Sequence, residues 1–139
     1  MKQGYRFIDH TADFGLEIFG ADAEDLFVQA AKALTDLLTD PRALQGRQQR
    51  TLAVTGDDWA DLMVNWLREL LYLWNGEEQL VHDVSIETLE QARLVAKVGT
   101  DAYNADTHSI RNEIKAVTYH QIEVGPHQDG WRARVIFDI

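Results

Sequence analysis

The chain has 139 residues, 45% of them apolar and 26% charged, which suits one folded domain spanning residues 1–139 and excludes a disordered chain. Its 13 Lys+Arg and 23 Asp+Glu leave a formal net charge of −10. So acidic a surface is poorly suited to gripping nucleic acid through phosphates. No direct nucleic-acid binding is expected, and a protein partner, a basic ligand or a cation fits better.

In chain order, Tyr5–Ile8 and Phe14–Phe19 read as strands flanking a tight segment. A helix is predicted over Ala23–Leu38, where Leu26, Phe27, Ala30, Ala31, Leu34, Leu37 and Leu38 fall on one stripe. Asp22 caps its start, Glu24 and Asp25 suit its positive end, and Asp40-Pro41 stops it. Thr39–Gln49 reads as a loop and Gln49–Val54 as a short strand. A second helix is predicted over Asp58–Trp74, with a buried stripe of Leu62, Met63, Trp66, Leu67, Leu70, Leu71 and Trp74. Asp57 or Asp58 caps it, and Asn75-Gly76 is read as its stop.

Val81–Leu89 and Arg93–Val98 form a predicted hairpin across Glu90-Gln91. Lys115–Val124 and Trp131–Phe137 form another antiparallel pair, joined by Gly125–Gly130. Hairpin-linked strands with two helices imply an α+β fold: a two-layer sandwich with a mostly antiparallel sheet and two main helices on one face. No internal repeat and no glycine-rich nucleotide loop is visible. The absence of cysteine excludes disulfides, cysteine–zinc sites and thiol catalysis. The first ten residues hold no apolar signal core. The longest apolar run, Leu70–Trp74, is short of the roughly 18 residues of a membrane span, so a cytoplasmic protein without membrane association is expected.

Three segments could carry chemistry. Asp9-His10-Thr11-Ala12-Asp13 lies between the first two strands, and such residues either build a turn or hold a ligand where a loop leaves a rigid strand. Asp138 and Ile139 close the sequence. Ile139 shares a strand face with Val135 and Phe137, so this apolar end is expected to be tied down, with Asp138 pointing the other way. Asp138 and the terminal carboxylate would then lie close together, and adjacent anions are costly without a positive charge between them. A lysine, an arginine or water could supply the balance. If Asp13 also came near, three carboxylates would converge, an all-oxygen set suited to Ca²⁺, Mg²⁺ or Mn²⁺. In the third segment, Asn112–His120, the side chains of Lys115, Thr118 and His120 could bind phosphate or act as acid and base, or could simply decorate an exposed strand face. His82, His108 and His127 read as loop residues, and no histidine pair has the spacing of a helical zinc site.

These segments together resemble the archease family. The resemblance is carried by His10-Thr11-Ala12-Asp13, by Leu62 with Trp66-Leu67-Glu69-Leu70-Leu71, by Ile114-Lys115-Ala116-Val117-Thr118-Tyr119-His120, and by Phe137-Asp138-Ile139, in this order. It implies an activator of an enzyme rather than an enzyme. The partner would be an RtcB-type tRNA-splicing RNA ligase, which the chain would help to accept GMP and to turn over repeatedly. It implies a divalent metal, Ca²⁺ first, held by Asp13, Asp138 and Ile139, the last through its backbone or terminal carboxylate. Lys115, Thr118 and His10 match the family's motifs as supporting or partner-facing residues. The stretch Thr100–Ser109 departs from the family pattern, and no function is carried over to it. Two alternatives stand beside this reading: a general chaperone of nucleic-acid-modifying enzymes, and a carboxylate–metal phosphoesterase.

Overall fold

A computed structural model describes residues 4–9 and 13–139. In chain order the elements are β1 (Tyr5–Asp9), β2 (Asp13–Gly20), α1 (Ala23–Leu38), β3 (Gln48–Thr55), α2 (Trp59–Glu77), β4 (Gln79–Glu90), β5 (Arg93–Ala102), β6 (Ala116–His127) and β7 (Gly130–Asp138). All paired strands are antiparallel. The expected α+β class, with two helices on antiparallel strands, is what the chain adopts. The strands divide into two sheets, however, in the orders β1-β2-β7-β6 and β3-β5-β4.

The helices join the two sheets. Helix α1 packs on β2 and β4, and α2 packs on β6, β3 and β4. A helix that meets two sheets needs a wide apolar arc. Helix α1 therefore buries two adjoining rows, Leu26, Ala30, Ala33 and Leu37 beside Phe27, Ala31, Leu34 and Leu38. Trp66 of α2 is fully buried, and its indole N–H donates to the Phe27 carbonyl at 3.0 Å, which fixes the two helices against each other.

Both helices start from one local device. Gly20-Ala21-Asp22-Ala23-Glu24-Asp25-Leu26 and Gly56-Asp57-Asp58-Trp59-Ala60-Asp61-Leu62 share glycine, aspartate, aspartate and leucine at the same spacing. Asp22 and Asp58 each accept the backbone N–H three residues on, at 2.8 Å. Asp25 and Asp61 reach back to the N–H groups of Ala21 and Asp57 at 2.9 Å, closing reciprocal capping boxes. A side chain at Gly20 or Gly56 would run into the backbone nitrogen of Leu26 or Leu62, so the chain enters each helix too tightly for any other residue.

The predicted stop at Asn75-Gly76 is corrected. Helix α2 runs on to Glu77 and ends at Glu78, whose left-handed φ of 54° turns its N–H onto the Trp74 carbonyl. Asn75 stays helical because its side chain has another task, donating to the Ile114 carbonyl at 3.0 Å. The segment between β5 and β6 seals the end of α1 as well. Arg111 and Asn112 donate side-chain bonds to the Asp36 and Leu37 carbonyls, and the Arg111 N–H meets the Leu38 carbonyl. These are the acceptors that a helix C-terminus leaves unpaired. Thr39 adds a bond to the Ser109 carbonyl at 2.6 Å. Pinned at both helix ends, this segment delivers Lys115 and Ala116 to the edge of β7.

Candidate functional site

In the β2–β7 register Asp13 stands directly opposite Asp138. Directly opposed residues of an antiparallel pair lie roughly 4.5–5.5 Å apart at Cα and project to the same face. Phe14 and Phe137, one step along, turn to the other face, where Phe137 is fully buried with Val117, Val135 and Leu16. Core packing therefore fixes the register, and the register puts Asp13 and Asp138 across from each other on one face, at the end of the two inner strands of the four-stranded sheet.

Strand β7 is held on both sides there. Asp138 pairs with Asp13 on β2 and with Ala116 on β6, and its carbonyl accepts the Lys115 N–H at 2.8 Å. Ile139 lies just beyond β7 and is 40% exposed. The expectation that its apolar side chain anchors the end is thus corrected: the backbone of Asp138 does that, while the Ile139 side chain is partly exposed beyond the strand. Lys115 is exposed and precedes β6. The Thr118 hydroxyl donates to the Ile136 carbonyl at 2.9 Å and accepts the His120 N–H, so it supports the strand from one step away. His10, Thr11 and Ala12 lie outside the described residues, and His10 among the candidates is not placed.

Like charges directly opposite each other oppose sheet pairing. A hard cation shared by the two carboxylates and a main-chain oxygen of Ile139 would reverse that sign, and the donor chemistry fits such an ion. Among the described residues no three histidine, aspartate or glutamate side chains cluster as a ligand set. Any cation here would rest on two side chains plus main-chain oxygen. Further along the same face Glu17 is 8% exposed and holds Arg6 and Arg132, the latter at 2.7 Å. Burial works against its charge, but the bonds from Arg132 and Arg6 outweigh that and keep its carboxyl below the usual range.

One group beside the site has no obvious signal in the sequence. Between Thr118↔Ile136 and Glu123↔Arg134, four residues of β6 oppose a single residue of β7, and Gln121 takes a left-handed φ of 53°. This bulge throws Tyr119 toward α2. The Tyr119 hydroxyl donates to Asp61, and the Arg68 guanidinium lies over the ring, 4.8 Å from its centre. Arg68 also donates twice to the Val117 carbonyl at 3.2 Å. The bond to Asp61 holds the Tyr119 phenol above its usual pKa and the Asp61 carboxyl below its own.

A sequence profile of the Archease protein family matches residues 5–139. The chain belongs to the archease family. It is 32% identical to the archease of Methanosarcina barkeri, over 97% of this chain and 95% of that one. It is likewise 32% identical to the archease of Methanothermobacter thermautotrophicus, over 99% of both. A solution structure of a Methanobacterium thermoautotrophicum protein superposes with a TM-score of 0.79 at 31% identity, covering 98% of this chain and 99% of that one. A Thermotoga maritima crystal structure, described as an archease and possible chaperone, shares the fold with a TM-score of 0.64 at 22% identity, covering 100% and 98%. The expected family is therefore shown. No helix among the described residues is long and apolar enough to cross a membrane.

Proposed function

We propose that this archease-family chain is a metal-binding activator of an RtcB-type RNA ligase, acting in tRNA splicing or RNA repair rather than catalysing ligation itself. The observation that carries the reading is the in-register pairing of Asp13 with Asp138 beside Ile139. Asp13 and Asp138 would hold the ion through their carboxylates and Ile139 through a main-chain oxygen, with Ca²⁺ the first choice and Mg²⁺ or Mn²⁺ as alternatives. The bound ion would supply positive charge where the two aspartates meet at the end of β2 and β7. The pairings with β2 and β6 and the Lys115 N–H hold the Asp138 backbone in place. A net charge of −10 speeds encounter with a basic, RNA-handling enzyme and disfavours direct competition for its RNA. His10, Lys115 and Thr118 take supporting or partner-facing roles.

The test is transfer of GMP onto the ligase histidine, measured with and without the chain, carrying an amino-terminal tag only. Acceleration at substoichiometric amounts is expected. No effect on an active, metal-supplied ligase would remove this reading. It would favour the second one, a general chaperone of nucleic-acid-modifying enzymes. Phosphodiester hydrolysis by the purified chain with metal would instead establish a phosphoesterase.

A further inference from the structure

Two of the large apolar side chains left in solvent flank Arg68. Tyr72 on α2 is 57% exposed and Tyr119 on the β6 bulge is 45% exposed. Arg68 links them: it covers the Tyr119 ring and lies one helical turn before Tyr72. Tyrosine and arginine are the residues that most often dominate protein interfaces.

These side chains are also held in place while exposed. Tyr119 is bonded through its hydroxyl to Asp61, Arg68 is bonded to the Val117 carbonyl, and the Tyr72 ring lies against Gly76, where any side chain would displace it. Ordering long side chains is a main cost of association, and here much of it is already met in the free chain. Core packing does not require the arrangement, because the rings face outward.

The surroundings define the partner. Residues 57–78 carry Asp57, Asp58, Asp61, Glu69, Glu77 and Glu78 against one cation of their own, Arg68, with Glu77 also paired to Arg50 of β3 at 2.6 Å. An aromatic centre with an acidic rim fits a basic protein surface, with steering from the rim.

We propose that Tyr72, Arg68 and Tyr119 form the docking surface through which the chain seats on a basic face of its partner ligase. This rests on the activator reading above, and Lys115 and the Asp13–Asp138 pair, next to the start of β6, would then enter the same complex.

The experiment measures binding and GMP transfer with an RtcB-type ligase from the same source, for the unmodified chain and for Tyr72→Ala, Tyr119→Ala and Tyr119→Phe. Tyr72→Ala removes an exposed ring and leaves the fold intact, which a melting curve checks. Tyr72→Ala and Tyr119→Ala are expected to weaken binding about 30-fold or more, the size of an interface hot spot. Tyr119→Phe, which keeps the ring, should lose less. Stimulation should return at high concentrations of each variant, because the metal-binding end is untouched. If the unmodified chain stimulates the ligase and the alanine variants bind as tightly, the docking surface is wrong while the activator reading stands. If the unmodified chain neither binds nor stimulates, the activator reading itself fails. Concentration-dependent self-association abolished by Tyr72→Ala would make this a surface between copies of the chain and would overturn the proposal.

Discussion

Asp101 sits at the end of β5, only 6% exposed, and accepts the backbone N–H groups of Gln45, Gly46 and Arg47. Burial disfavours its charge, but the three bonds outweigh burial and set its carboxyl below the usual range. A folded-state pKa below the unfolded one contributes stability above the unfolded value, near 3.9, and that contribution is lost as pH falls through the folded value. Asp101→Asn is therefore expected to destabilise the chain by about 1–3 kcal/mol at pH 7, with the gap to the parent narrowing below about pH 4. Urea titrations at the two pH values check this, and a pH-independent gap would contradict it. At this scale the sequence marks Asp13 and Asp138 by chemistry but not by position. Their meeting depends on a register between strands over a hundred residues apart, set by Phe14, Phe137 and Val117. The roles of Asp101, Arg111 and Asn112 have no local signal, since their partners are backbone groups of distant segments.

The elements themselves are mostly legible, because their ends are chemical. Asp22 and Asp58 announce both helix starts, and α1 spans the predicted Ala23–Leu38. The end of α2 is misread for a physical reason. Asn75-Gly76 has stop chemistry, yet tertiary bonding of Asn75 keeps the turn helical until Glu78 can cap it. Asp22→Ala is expected to cost about 1 kcal/mol in chemical unfolding. Asp61→Ala should cost more than Asp22→Ala, since Asp61 both closes its capping box and holds Tyr119. Equal losses would show the Tyr119 bond to be idle. Trp66→Ala removes the largest fully buried side chain and its bond to Phe27, and a loss of about 3–5 kcal/mol is expected.

For the molecule as a whole, the class was readable but the division of the strands was not. Hairpin signals pair neighbours such as β4 with β5, whereas nothing local says that β2 must join β7 while β3 joins β5. That non-local pairing makes the site, since it brings residue 13 to residue 138. Ile139 lies outside β7 and is exposed, so residues appended after it should leave the melting temperature unchanged while abolishing ligase activation. Full activation by an extended chain would show that a free carboxylate at Ile139 is not needed. The central claim is a cation centre built on Asp13 and Asp138. The measurement that tests it most directly is calorimetric titration of the metal-free chain with Ca²⁺, and then with Mg²⁺ and Mn²⁺. A single saturable site is predicted, weakened in both Asp13→Asn and Asp138→Asn by more than the roughly 10–100-fold that outer-shell changes cost. No binding by the parent chain, or unchanged affinity in the two variants, would contradict it.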